Sequence, residues 1–246
     1  MTYCVAMRLD EGLLFASDSR TNAGVDHIAT FRKMTVFELP GERLIVLLNS
    51  GNLATTQSVI SLLRQRLHGE GTHLMNVPTL YDAAELVGRT IKEVLARDAE
   101  PTLDQGVDFG GHFLVGGQIQ GEHCRLFHVY AEGNFIEASK DTPYFQIGES
   151  KYGKPIIDRV VQHDTSLAEA AKCTLISFDS TIRSNLSVGL PIDILLYRAG
   201  SFAAARPQRI TGDDPYFNRL RRGWGEGLRK VFARLPEAKW FEQEQG

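Results

Sequence analysis

The sequence predicts an α+β fold: a four-layer αββα sandwich in which two antiparallel sheets face each other and a pair of helices covers each outer face. Two observations favour this fold class. Strand patterns occur in groups separated by short turn sequences, and a pair of helix patterns follows each of two groups. Strands joined by hairpins are antiparallel, because a parallel pair needs a long crossover connection. The order of elements therefore argues against βαβ units and for two stacked sheets.

Two hairpins open the chain. Residues 2–9 alternate loosely between apolar and polar, residues 13–17 are apolar, and Asp-Glu-Gly separates them. A second pair of strand patterns, 35–39 and 44–48, flanks Pro-Gly-Glu. Short strand patterns on either side of a glycine-containing turn predict β-hairpins.

Two helices are predicted next, because the apolar period changes from 2 to 3.6 residues. The first has an apolar stripe of Leu53, Val59, Ile60, Leu63 and Leu67. Thr79 opens the second, with Asp82 as a weaker capping-box partner. The apolar stripe of the second helix is Leu86, Val87, Ile91, Val94 and Leu95.

The same succession is repeated in the second half. Strands are predicted over 111–118, 124–130 and 135–138, joined into a meander by two glycine turns, and Gly116-Gly117 indicates close sheet packing. A helix over about 150–162 follows. Ser166 opens another helix with Glu169 in a capping box, and the last apolar strand covers 192–198.

The segment 201–246 differs from the rest in being polar and rich in basic residues: Arg219, Arg221, Arg222, Arg229, Lys230 and Arg234 bracket Trp224 and Leu228. We expect residues 1–200 to form one domain, and 201–246 to form a helical C-terminal extension docked on that domain or on a neighbouring subunit. A basic tail that binds nucleic acid is an alternative, but the formal net charge of −3 does not favour it.

Composition excludes several classes of protein. At 246 residues, 43% hydrophobic and 23% charged, the chain is an ordinary globular protein, and its net charge of −3 argues against an acidic membrane surface or a polyanionic substrate. Cys4, Cys124 and Cys173 are odd in number and widely spaced, which favours buried reduced thiols over disulfides or a zinc site. Without a signal-peptide pattern or a membrane-length apolar run, a cytoplasmic protein is expected.

Three residues from three places are predicted to converge at one sheet end. Thr2 begins the first strand, Asp18 ends the second, and Lys33 leads into the adjoining hairpin. The start of one hairpin strand lies beside the end of the other, so Thr2 and Asp18 should be neighbours. Each residue alone is more often structural, since threonine is common in strands and Asp18 could be a turn residue. The three together indicate chemistry.

The trio suits an N-terminal nucleophile, provided that Met1 is removed. A threonine hydroxyl needs a base to accept its proton. A free α-amine, with a reference pKa of roughly 7.7–8.0, can be that base on the same residue. Lys33 would disfavour protonation of the amine and stabilise a developing alkoxide, and Asp18 would keep Lys33 charged and oriented.

The motifs M-T-x-x-V, F-A-S-D-S-R, F-R-K-M and N-S-G-N-L-A-T resemble those of proteasome β-subunits, and most of all the bacterial Anbu (ancestral β-subunit) group. The resemblance covers about the first two hundred residues. It implies an N-terminal nucleophile (Ntn) hydrolase of αββα fold that forms a ring or ring-like homo-oligomer. Thr2 falls on the nucleophile, Asp18 on the acidic partner, Lys33 on the lysine, and Gly51 on the glycine whose N–H forms the oxyanion hole.

Two departures from that pattern concern the rest of the site. Where the family carries Gly-Ser-Gly before the third helix, this chain has Gly148-Glu149-Ser150, so either Ser150 substitutes for the serine or Glu149 changes the site. The family's Asp-x-x-Ser beyond the fourth helix is matched by Asp179, but Ile182 replaces the serine; Ser184 and Ser187 lie further on.

Other constellations of reactive residues fit their motifs less well. His123, Cys124 and His128 suggest a metal, but strand alternation places His123 opposite the other two, and a fourth ligand is missing. Residues 148–153 approach a nucleophile elbow but miss its second glycine by one place. We therefore expect neither metal nor cofactor.

The sequence thus predicts a threonine peptidase that acts on peptides or unfolded proteins within a homo-oligomer, with an ATPase partner left open. Two alternatives remain: a small-amide acylase on the same fold, and a non-catalytic assembly subunit that retains Met1.

Overall fold

The computed structural model describes residues 2–22, 28–98 and 108–238. In chain order the elements of these residues are β1 (Tyr3–Leu9), β2 (Gly12–Asp18), β3 (Arg20–Asn22), β4 (Ile28–Thr30), β5 (Met34–Leu39), β6 (Arg43–Gly51), α1 (Leu53–Arg66), α2 (Leu80–Asp98), β7 (Gly111–Ile119), β8 (Arg125–Val129), β9 (Phe135–Glu137), β10 (Tyr144–Gly148), α3 (Lys154–Val160), α4 (Leu167–Ser184), β11 (Ile192–Arg198), β12 (Gln208–Ile210) and α5 (Pro215–Phe232).

The strands form two five-stranded antiparallel sheets. Their orders are β10-β1-β2-β11-β12 and β5-β6-β7-β8-β9, and β3 and β4 form a separate ribbon. Both predicted hairpins, β1–β2 and β5–β6, are confirmed, as is the β7–β8–β9 meander.

Three apolar clusters hold four layers together. Phe15 and Leu48 belong to the cluster between the two sheets. Leu63 of α1 and Val87 of α2 pack against the outer face of the second sheet, and Phe178 of α4 packs against that of the first. Burying apolar surface on both faces of each sheet is the main stabilising term of such a sandwich. The predicted αββα fold is confirmed.

The predicted capping box of α2 is present, and Ser166 caps α4 as predicted, although Glu169 accepts from the Ser166 hydroxyl and not from its backbone N–H. Ser166 Oγ accepts the Glu169 N–H at 3.3 Å and donates to Glu169 Oε2 at 2.8 Å. Thr79 Oγ1 accepts the Asp82 N–H at 3.2 Å, and Asp82 Oδ2 accepts the Thr79 N–H at 3.1 Å. Asp82 therefore serves as the capping partner despite its shorter side chain.

The region around residue 150 differs from the sequence prediction. The helix expected over about 150–162 covers only Lys154–Val160, and the preceding strand β10 was not predicted. Pro155 favours a helix start at this point, because its missing N–H costs nothing in the first turn. The segment just before α3 is not part of the helix. Its Glu149 N–H instead donates to Thr2 O, at 2.6 Å.

The described part of the extension, residues 201–238, contains helix α5 and docks on the rest of the chain. Helix α5 packs on α4, and Phe217 of α5 is 1% exposed within the apolar cluster of α4 and the first sheet. The Arg221 Nε of α5 donates to Asp179 Oδ1 of α4 at 2.6 Å. Before α5, strand β12 adds to the edge of the first sheet by pairing with β11.

The three cysteines are buried and free, as expected. Within the described ranges, no helix combines the length and the apolar character that crossing a membrane requires.

Gly116 and Gly117 of β7 allow two different close contacts, one between the two sheets and one within the second sheet. A Cβ built on Gly116 would lie 2.9 Å from the Phe15 ring across the sheet interface, and one on Gly117 would lie 1.9 Å from Leu44 O of β6. The first contact is with a side chain and the second with backbone. The missing side chain at Gly116 therefore leaves room for Phe15 between the sheets, and the one at Gly117 leaves room for the backbone of the neighbouring strand β6.

We expect Gly117→Ala to destabilise the protein by about 3 kcal/mol, because the new methyl group meets backbone that cannot move without breaking the β6–β7 ladder. Urea denaturation measures the loss. Gly71→Ala is the matched control, since nothing lies within 4 Å of a Cβ at Gly71. Equal stability of the two variants would contradict the packing argument.

Candidate active site

Thr2 lies where β1 meets both of its neighbouring strands. On one side, the Tyr3 N–H donates to Asp18 Oδ1 at 3.0 Å, which fixes the end of β2 beside the start of β1. On the other side, Thr2 O accepts the Glu149 N–H at 2.6 Å. The convergence of Thr2 and Asp18 that the hairpin predicted is therefore present, and Thr2 itself is half-buried.

Lys33 forms a buried ion pair with Asp18. Lys33 Nζ donates to Asp18 Oδ1 and to Arg20 O, each at 2.6 Å, and the two side chains are 6% and 0% exposed. Burial raises the pKa of the Asp18 carboxyl; the Lys33 ammonium and the N–H groups of Tyr3 and Gly189 act in the opposite direction without cancelling it. An ammonium has three donors. Two of them are used among the residues that the structure describes, which leaves the third for a group bound beside Lys33.

Gly51 ends β6 in a conformation that suits glycine. Its φ is +107°, and a Cβ would lie 2.3 Å from Gly110 O. N–H groups alternate sides along a strand, and the Asn49 N–H donates to Lys33 O at 3.0 Å. The Gly51 N–H, two residues on, therefore faces the Lys33 side of β6. Helix α1 begins two residues later, at Leu53, so the positive end of its dipole lies next to Gly51.

Thr2, Lys33 and Gly51 line one cleft of about 680 Å³. It runs between β5 and α1, and one side of α1 contributes residues from Leu53 to Arg64. Beyond the first sheet, Ala205 and Pro207 of the C-terminal extension also line it. A nucleophile, a buried cation and a candidate oxyanion donor thus open onto the same concave surface.

Glu149, rather than Ser150, is the residue next to Thr2. Ser150 is exposed and does not line the cleft, whereas Glu149 is 5% exposed. Glu149 Oε1 accepts the Lys151 N–H at 2.7 Å, and Oε2 accepts from Asn185 Nδ2 at 2.6 Å. Burial alone would raise the pKa of the Glu149 carboxyl, but these donors outweigh it, so the pKa lies below its ordinary value.

The region beyond α4 is connected to Thr2 through Asn185, which the sequence analysis missed. Asn185 follows α4 as its C-cap and is 7% exposed. The N–H of Ser187 donates to Asn185 Oδ1 at 3.0 Å. A polar residue directly after a helix was the available sequence signal, but the family pattern drew attention to Asp179 instead.

Asp179 lies elsewhere. Its Oδ2 accepts from Arg183 Nε at 3.1 Å and its Oδ1 from Arg221 Nε at 2.6 Å, between α4 and α5. It does not line the cleft that holds Thr2. Ile182 packs against the apolar cluster of the first sheet. The geometry therefore gives Asp179 a docking role for α5.

The histidines do not assemble a metal site with the neighbouring cysteine. Cys124 is buried and His123 is exposed, as strand alternation predicts. Among the described residues, no group of three His, Cys, Asp or Glu side chains could hold a metal ion. His128 lies 5.6 Å from His112 between ring centroids, and burial together with His112 lowers the pKa of His128 to about 4. The His128 ring is therefore uncharged at neutral pH.

We expect Asp18→Asn and Lys33→Met each to cost about 3–5 kcal/mol of stability, since either leaves an uncompensated buried group. The double variant should lose clearly less than the sum. Urea denaturation of all four proteins gives the coupling energy. The exposed pair Lys154–Asp158, at 49% and 47% exposure, is the matched control and should give below about 1 kcal/mol. Additive losses at Asp18 and Lys33 would contradict the coupling.

Comparison with known proteins agrees with this geometry. The proteasome subunit family model matches residues 2–195. Three similar solved structures are Anbu (ancestral beta-subunit) from Yersinia bercovieri (61% identity, TM-score 0.91, covering 96% of this chain and 98% of that one), a helical assembly of the Anbu complex from Pseudomonas aeruginosa (56%, 0.93, 96% and 98%), and Anbu from Hyphomicrobium sp. strain MC1 (51%, 0.89, 96% and 99%). No curated protein matches the sequence. The chain belongs to the proteasome subunit family, and within it to the Anbu group.

Proposed function

We propose that the protein is a threonine-type peptidase, an Ntn hydrolase whose nucleophile is Thr2 after removal of Met1. The observation that carries this proposal is the Lys33–Asp18 ion pair beside Thr2, at a cleft that Thr2, Lys33 and Gly51 share. A buried ammonium that a carboxylate holds beside the first residue of a strand can activate that residue as a nucleophile, which gives the buried ion pair a catalytic role.

The first half of the reaction forms an ester. The free α-amine of Thr2, directly or through a water molecule, accepts the proton of the Thr2 hydroxyl as Oγ attacks an amide carbonyl carbon. The third donor of Lys33 stabilises the developing charge on Oγ. The Gly51 N–H donates to the tetrahedral oxyanion. The ammonium of Thr2 then protonates the departing amine, and the C–N bond breaks.

The second half regenerates the enzyme. The same amine takes a proton from a water molecule, whose oxygen attacks the ester carbon. Gly51 again stabilises the oxyanion, and the Thr2 hydroxyl leaves with the proton returned by the ammonium. Neither step needs a metal or cofactor, and the substrate class is peptides or unfolded protein.

Glu149 positions the nucleophile in this scheme. Its N–H holds Thr2 O, and Asn185 and Lys151 in turn hold its carboxylate. The backbone bond fixes Thr2 at the start of β1, and the two bonds to the carboxylate hold the Glu149 segment in place. Glu149 and Asn185 therefore take the place that the sequence interpretation offered to Ser150 and Asp179.

Self-association is the second part of the proposal. The relative from Pseudomonas aeruginosa forms a helical assembly. In this chain, Leu228, Val231 and Phe232 are 52%, 60% and 78% exposed and follow the i, i+3, i+4 spacing of one face of α5, and Leu235, which is 59% exposed, lies three residues beyond the end of that helix. We propose that this apolar stripe packs on a second copy of the chain.

We expect Thr2→Ala to abolish covalent labelling by a peptide epoxyketone and to lower peptide hydrolysis by about a thousandfold or more, because the nucleophilic oxygen is gone. Intact-mass spectrometry measures labelling. Thr2→Ser keeps a hydroxyl and should still be labelled. Unchanged labelling of Thr2→Ala would refute the assignment.

The intact mass of the unlabelled protein tests the condition on which the scheme depends. Loss of Met1 is expected, since threonine is small. A protein that retains Met1 has an amide nitrogen in place of the base, and that result would favour the non-catalytic assembly subunit.

We expect Phe232→Asp to weaken assembly, because it places a charge in the apolar stripe of α5. Sedimentation velocity should show a shift toward smaller species at equal concentration. Lys230→Asp is the control. At 100° per residue, Lys230 lies about 150° around the helix from the centre of the stripe, and its replacement changes the net charge at least as much as Phe232→Asp does. An unchanged distribution for Phe232→Asp would exclude this stripe as an interface.

A further inference from the structure

The cleft beside Thr2 has an uneven balance of charge. Among the described residues that line it, five are charged at neutral pH: Arg32, Lys33, Glu38, Arg64 and Asp193. Two of the five are neutralised by partners. Lys33 pairs with Asp18, and Asp193 accepts two hydrogen bonds from Arg209 Nη1, at 3.0 and 3.1 Å.

The two arginines of the cleft are not neutralised in this way. Arg32 and Arg64 are exposed, and neither forms an ion pair with a residue that the structure describes. Glu38 is the remaining anion, and its Oε2 accepts the Ala205 N–H at 2.6 Å at the wall formed by the extension. Apart from the two neutralised residues, the described lining of the cleft therefore has two positive side chains, Arg32 and Arg64, and one negative side chain, Glu38, which already accepts a hydrogen bond from the Ala205 N–H.

Arg32 and Arg64 lie at opposite ends of the cleft, and Arg32 is at the end that holds the reacting groups. Arg32 directly precedes Lys33, so it lies at the end of the cleft where Thr2 and Gly51 are. Arg64 lies about three turns along α1 from Leu53, at the other end. The first turn of α1 carries no acidic residue, so no side chain of that turn offsets the positive end of the helix dipole. Cleft walls of low dielectric concentrate such a field.

We infer that the cleft selects acidic peptides: substrates with a glutamate or aspartate side chain on the residue whose carbonyl Thr2 attacks. This inference rests on the proposed function and names its substrate class. A carboxylate bound there replaces water as the partner of Arg32 and receives charge-assisted hydrogen bonds from a guanidinium. A lysine side chain at the same place would meet like charge.

The test compares two epoxyketones with the same N-acetylated peptide, one carrying glutamate and the other glutamine next to the electrophile. The pair differs in charge and hardly in shape, and acetylation leaves the side chain as the only anion. Labelling rates of Thr2 by intact mass should favour the glutamate compound by about tenfold at low salt. The preference should shrink in 0.5 M salt, because exposed charges are screened.

Variants assign the preference to the cleft. Arg32→Gln should bring the glutamate-to-glutamine ratio below about threefold, and Arg64→Gln should lower it by a smaller factor. Arg89→Gln, an exposed arginine on α2, is the control and should keep the wild-type ratio. Equal labelling by the two compounds in the wild-type protein overturns the inference and leaves the proposed function intact. If neither compound labels Thr2, the proposed function fails and takes the inference with it.

Discussion

The ion pair between Lys33 and Asp18 is the interaction that orders this end of the molecule. Both side chains are nearly or fully buried, so each charge requires the other and further hydrogen bonds besides. Asp18 finds them in the N–H groups of Tyr3 and Gly189, and Lys33 in Arg20 O. Satisfying one pair of charges therefore fixes the starts and ends of several strands around Thr2.

Local patterns predicted most of the fold, because most elements are stabilised by signals that lie within them. Capping residues such as Ser166 and the glycine turns of the hairpins act over a few positions, and their effects were confirmed. Strand β10 depends on a distant partner instead. Phe145 and Ile147 do alternate with polar neighbours, but the strand is five residues long and is defined by its pairing with β1. The sequence therefore predicts the helix that follows, over about 150–162, but not strand β10.

The site was predicted in the same uneven way. Thr2, Asp18 and Lys33 lie in or beside hairpins, where sequence distance translates directly into proximity, and the structure brings them together. Gly51 was implied by the family resemblance, and it lines the same cleft as Thr2 and Lys33. The residues beyond α4 reach Thr2 only through tertiary packing. The resemblance to the family's Asp-x-x-Ser pattern indicated Asp179, whereas the turn after α4 places Asn185 against Glu149. No local pattern records which polar residue at the end of a long helix meets a loop 36 positions earlier.

The contribution of the tail to the cleft wall affects how relatives can diverge. Ala205 and Pro207 line the cleft, and Arg209 neutralises Asp193, yet the family model ends at residue 195. The part of the chain that the family model covers therefore carries the reacting groups, while the tail beyond it contributes to their surroundings. Paralogues could exchange or remodel this tail and acquire new selectivity without a single change in the inherited catalytic strands.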